Sequence, residues 1–180
     1  MNPSFLAPPQ EAAPYCWLIE IGSTKLGVHR RDGWCAQLDE RLIFFDSEEK
    51  CMLLMPILEI EAEKFLDFLK RAELHAPAYS NAIRRFPKAL LLKHVFHTAV
   101  SGYWIEKALA WLVDDGALQS RFSDELEKII DKKIMPQAVR QKARKIVKSL
   151  RDGAKNAAHP HPATPATVAH AGRDLEMTQK

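Results

Sequence analysis

No stretch of this sequence is apolar for long enough to cross a bilayer as a helix. Apolar runs such as residues 51–58 and 89–92 fall well short of the roughly 20 residues a spanning helix needs. Residues 1–10 also lack the basic start and continuous apolar stretch of a secretory signal, so residues 1–13 read as a flexible arm. Cysteine is scarce. Cys16, Cys35 and Cys51 are odd in number, sit among apolar neighbours and form no Cys-x-x-Cys pair, which argues against a disulfide framework and fits buried, reduced thiols in a cytoplasmic protein.

Catalytic signatures are missing too. There is no Gly-x-x-x-x-Gly-Lys phosphate loop, Gly-x-Gly-x-x-Gly, His-Glu-x-x-His or Gly-x-Ser-x-Gly elbow. No catalytic residue, metal or cofactor is therefore expected, and the chain reads as a non-enzyme more readily than as an enzyme. The last 27 residues lack aromatics and repeat small residues around Pro160, Pro162 and Pro165. Residues 154–180 therefore read as a disordered tail behind a single domain spanning 14–153.

Over the whole chain the hydrophobic content of 47% and charged content of 27% are those of a globular protein. The net charge of +3 is unevenly spread. Residues 128–151 hold nine Lys or Arg and one acid, a local +8 that leaves −5 on the remainder. From Tyr15 to Phe45, short runs rich in β-branched and aromatic residues alternate with turn clusters at Gly22-Ser23-Thr24, Arg31-Asp32-Gly33 and Asp39-Glu40. This pattern predicts an antiparallel sheet of three to four strands, with Asp32-Gly33 as the best hairpin turn.

Residues 47–55 are ambiguous between a helix entered at Ser47 and a buried strand, with the helix favoured because Glu48 and Glu49 suit a first turn. Beyond Pro56 the spacing predicts about five helices. The first carries a stripe of Leu58, Ala62, Phe65, Leu66, Leu69 and Ala72 and stops at His75-Ala76-Pro77. The next runs from Lys88 to Val100 and is apolar on most sides. A third spans Tyr103 to Val113 and ends on Gly116 as a left-handed cap. A fourth is capped at Ser123-Asp124-Glu125, and the last runs from Pro136 to a stop at Gly153 on Met135, Val139, Ala143, Ile146, Val147 and Leu150. The fold class is α+β, a small sheet packed with a helical bundle.

The candidate contact residues lie on two helices. Arg140, Lys142, Arg144, Lys145, Lys148 and Arg151 surround the polar side of the last helix with no acid among them, an array that can neutralise several phosphates or serve as a basic patch for a partner. Tyr103 falls off the Trp104, Ala108, Trp111 stripe, which reads as core, and is the aromatic contact candidate. His94 and His97, three apart, could ligate a metal together with His75 or an acid. Without a fixed third ligand they read as ordinary packed residues. The expected function is a non-catalytic protein-interaction module of inhibitor, immunity or adaptor type, with a protein partner and no membrane. Nucleic-acid binding through residues 136–151 is the alternative, and the oligomeric state is left open.

Overall fold

The computed structural model describes residues 2–157, with side chains described through residue 153. Five strands form an antiparallel meander in the order β1 (Ser4–Ala12), β2 (Tyr15–Ile21), β3 (Thr24–His29), β4 (Gly33–Leu38) and β5 (Arg41–Phe44). Seven α-helices follow: α1 (Ala62–His75), α2 (Ser80–Arg84), α3 (Lys88–Thr98), α4 (Gly102–Leu112), α5 (Gly116–Arg121), α6 (Ser123–Asp131) and α7 (Gln137–Ala157). The architecture is α+β. Of the helices, α1, α3, α4, α6 and α7 match the five expected, while α2 and α5 are single short turns of five and six residues.

The residues expected as a flexible arm, 1–13, are largely strand instead. Ser4 and Phe5 pair with Glu20 and Ile19, and Gln10 to Ala12 pair with Trp17 to Tyr15. The sheet thus has five strands rather than three or four. Prolines at positions 3, 8, 9 and 14 hid β1 because they break the alternating pattern, yet an edge strand tolerates them. The Asp32-Gly33 turn forms as expected, with Gly33 at φ 89° supplying the left-handed conformation.

The ambiguous segment is a 3-10 helix, Glu49–Glu59, that runs through Pro56. Its buried residues Cys51, Leu54, Ile57 and Leu58 pack against α3 and α4. In α1 the inward face is Phe65, Phe68, Leu69 and Ala72, while Leu66, assigned to the stripe from spacing, is exposed. Gly116 does not cap α4 but opens α5, whose first turn is held by Asp115 accepting from the Leu118 N–H at 3.1 Å. Gly153 does not stop α7, which continues to Ala157, so the tail boundary at 154 falls inside helical backbone. Residues 158–180, where most of the expected disordered tail falls, lie outside the described residues.

One sheet face faces the helices. Cys16, Ile19, Leu26, Val28, Trp34 and Ala36 join the main core, and the Trp34 indole donates to the Ile83 carbonyl of α2 at 3.2 Å. The register puts Trp17, Gly27, Cys35 and Phe44 on the opposite face, where Tyr15 stacks on Trp17 at 5.4 Å. All three cysteines are buried and free. Desolvation pushes the Cys16 and Cys51 thiols up to about 11 and Cys35 to about 12, so none is a ready nucleophile.

Candidate functional site: the two edges of the last helix

α7 is held by a narrow aliphatic stripe. Met135, Val139, Ala143, Ile146 and Val147 are buried against the bundle, while the rest of the helix's circumference faces outward. With 3.6 residues per turn, the six candidate cations cannot share one face. Arg140, Arg144, Lys148 and Arg151 follow one another at intervals of four, four and three residues and so line the edge beside α6. Lys142 and Lys145 lie on the edge beside α4.

Two of the six are already matched by acids. Lys142 Nζ lies 2.5 Å from Glu106 of α4, and Arg151 lies 2.6 Å from Glu127 of α6. Arg140 donates through Nε to the Met135 carbonyl at 3.2 Å, which satisfies the chain just ahead of the helix. Arg144, Lys145 and Lys148 are exposed and, among the described residues, have no ion-pair partner.

Each edge borders a shallow groove with an apolar floor. Between α6 and α7 a cleft of about 500 Å³ is floored by Ile130 and Val147 and bordered by Arg144, Lys148 and Arg151, with Glu127 and Asp152 also lining it. Between α4 and α7 a second cleft of about 440 Å³ is floored by Ala110, Val113 and Ile146 and bordered by Lys142 and Lys145. The buried Gln119 amide, which donates to the carbonyls of Leu112 and Val113, fixes the wall of that second cleft. The sequence disclosed the cations but not the grooves, which depend on how far apart α4, α6 and α7 pack.

Tyr103 is 49% exposed, as its position off the stripe implies. Its hydroxyl donates to Glu59, its ring lies edge-on to Trp104 at 5.2 Å, and Lys107 sits 5.5 Å above it while pairing with Glu59 at 2.9 Å. The tyrosine hydroxyl and Lys107 hold Glu59 below the usual carboxylate range, and the Glu59 carboxylate raises the Tyr103 hydroxyl in return. Trp104 is only half-buried, so of the two tryptophans read as core, Trp111 alone is fully enclosed, with its indole donating to the Ile60 carbonyl at 2.8 Å. Gly102 lies so close to Pro136 that a Cβ there would fall 2.5 Å from the Pro136 Cδ. Val100 and Ile134, 82% and 77% exposed, therefore project from two connections that meet at the same end of the molecule.

The histidines part company. His94 is buried and its Nδ1 has no hydrogen-bond partner, whereas His97 is exposed between two carboxylates, Glu48 at 2.8 Å and Glu125 at 3.5 Å. His75 stands at the end of α1 beside β1. Among the described residues no group of three or more His, Cys, Asp or Glu is placed to hold a metal ion, and no helix is long and apolar enough to cross a membrane. No family model matches this chain, and neither curated proteins nor solved structures give a significant match.

Proposed function

We propose that the protein is a non-catalytic interaction module that grips an acidic, amphipathic segment of a partner protein along α7. The observation that carries this reading is the pairing of three cations without an acid partner among the described residues, Arg144, Lys145 and Lys148, with two apolar-floored grooves on either side of them. An amphipathic helix lays an apolar face into such a groove and sets its charges against the rim, so one partner uses both features. Complementary charge steers the encounter, and burial of the Ile130, Val147, Val113 and Ile146 floors holds the complex.

The nucleic-acid reading draws less support. A phosphate backbone is followed by a continuous cationic track with aromatic platforms for its bases. Here the cations divide between two edges, acids Glu127, Asp114 and Asp152 are interleaved with them, and α7 has no aromatic residue. The deciding experiment uses the full chain as bait in a nuclease-treated lysate, beside a variant carrying Arg144→Glu, Lys145→Glu and Lys148→Glu. A protein retained by the wild type through nuclease treatment and lost by the variant is the expected result. Equal capture by the variant overturns the reading, and capture abolished by nuclease transfers the site to nucleic acid.

A further inference from the structure

A second feature lies at the other end of the molecule, where β1 leaves the sheet. Phe5 pairs with Ile19 and the next pair is Gln10 with Trp17, so residues 6–9 of β1 stand opposite Leu18 alone. Pro8 and Pro9 fall in this bulge and have no N–H to offer the ladder. The bulge swings away from β2 and leaves a cleft of about 540 Å³ between itself and α1, a size within the usual range for small-molecule sites.

The walls of the cleft are apolar. The Phe5 ring stacks on Phe68 of α1 at 4.0 Å with planes 9° apart, and Ala7, Pro8, Pro9 and Ala72 complete the lining. Its polar groups are basic, Arg71 and His75, one turn apart on α1. Acids on α1 that could neutralise Arg71 are engaged elsewhere: Asp67 pairs with Lys70 at 3.0 Å, and Glu73 pairs with Arg84. Among the described residues Arg71 hydrogen-bonds to the backbone carbonyl of Asp67 alone, at 3.4 Å through Nε, which leaves the outer edge of the guanidinium free. A guanidinium with two free N–H groups at the mouth of an apolar cleft matches a carboxylate in a bidentate pair.

We propose that this cleft binds a small apolar monocarboxylate, with the hydrocarbon body against Phe5, Phe68 and Pro8 and the carboxylate on Arg71. His75 at the rim adds a second donor for the same oxygens. The site is distinct from α7 and does not depend on the protein-partner reading.

The test is an NMR titration of the full chain with three probes: octanoate, octan-1-ol, which keeps the body without the charge, and acetate, which keeps the charge without the body. Octanoate is expected to shift the Phe5, Phe68 and Ala72 resonances saturably and to bind more tightly than octan-1-ol, while acetate does not saturate. Arg71→Gln, an exposed change, is expected to weaken octanoate about tenfold or more and to leave octan-1-ol unaffected. Octanoate binding no tighter than octan-1-ol overturns the proposal, and that comparison needs only the wild type. Shifts that map away from β1 and α1, an unaltered octanoate affinity in Arg71→Gln, or no octanoate binding at millimolar concentration overturn it equally.

Discussion

The end of the molecule where the sheet meets α1 and α2 and the end formed by α6 and α7 are held by different means. At the first, aromatic rings interlock: Phe65 lies 4.7 Å from Phe86, 5.2 Å from Trp111 and 6.4 Å from Phe5, and Phe86 lies 5.0 Å from Trp34. Two indole N–H groups tie those rings to the backbone carbonyls of Ile60 and Ile83. At the second, α7 rests on Met135, Val139, Ala143, Ile146 and Val147, all aliphatic, and presents its remaining surface to the outside. Large rings with fixed polar anchors define one packing arrangement and carry much of the stability. A thin aliphatic stripe holds a helix in place while leaving most of its side chains exposed, so the interlocked rings concentrate at one end and the exposed cations at the other.

The sharpest way to break this division is at the rings. Trp111→Ala is expected to cost about 3–5 kcal/mol, because it opens a cavity beside Phe65 and Phe86 and strips the Ile60 carbonyl of its donor; urea unfolding measures it. A smaller loss is expected where the two ends touch. Gly102→Ala places a methyl group against the Pro136 ring, at a net cost of about 1–2 kcal/mol after the gain in helix propensity. In a Pro136→Ala background the same change should cost little, and a double-mutant cycle on melting temperatures reads the coupling.

Smaller again is Asp115→Ala, which removes the first-turn bond to Leu118 and the partner of Lys88 at 3.0 Å, for about 1 kcal/mol. Burial opposes ionisation of Asp115, but the Leu118 N–H and Lys88 outweigh it and hold the carboxyl below its ordinary value. A depressed carboxyl stabilises the fold fully above the unfolded value of about 4 and loses that contribution as pH falls through the lower folded value. The difference in stability between wild type and Asp115→Ala should therefore shrink in acid and stay constant from pH 5 upward, as unfolding at several pH values will show.

How much of each end was legible in the sequence follows from the range of the interactions. Tyr15 to Phe45 announced its strands because Asp32-Gly33 and the alternating β-branched residues act locally. α7 announced itself because Val139, Ala143, Ile146 and Val147 repeat at the helical period. β1 was hidden because its pairing with Glu20, Ile19 and Trp17 is enforced by the sheet rather than by its own residues, and its cleft depends on where α1 packs. Leu66 and Phe68 lie on opposite flanks of the inward arc of α1, and Phe68 is the one enclosed because Phe5 is there to stack on it. The cations of α7 were visible, but Glu106 and Glu127, which claim two of them, come from other helices and could not be placed from sequence alone.

The division between the two ends is tested most directly by urea unfolding of a variant carrying Arg144→Gln, Lys145→Gln and Lys148→Gln, measured beside Trp111→Ala. These three cations have no ion-pair partner among the described residues and repel one another along α7. Their neutralisation should leave the unfolding free energy within about 0.5 kcal/mol of the wild type while Trp111→Ala loses several-fold more. A loss of more than about 1 kcal/mol in the neutralised variant would contradict the division, because it would make the exposed edge of α7 part of what holds the fold together.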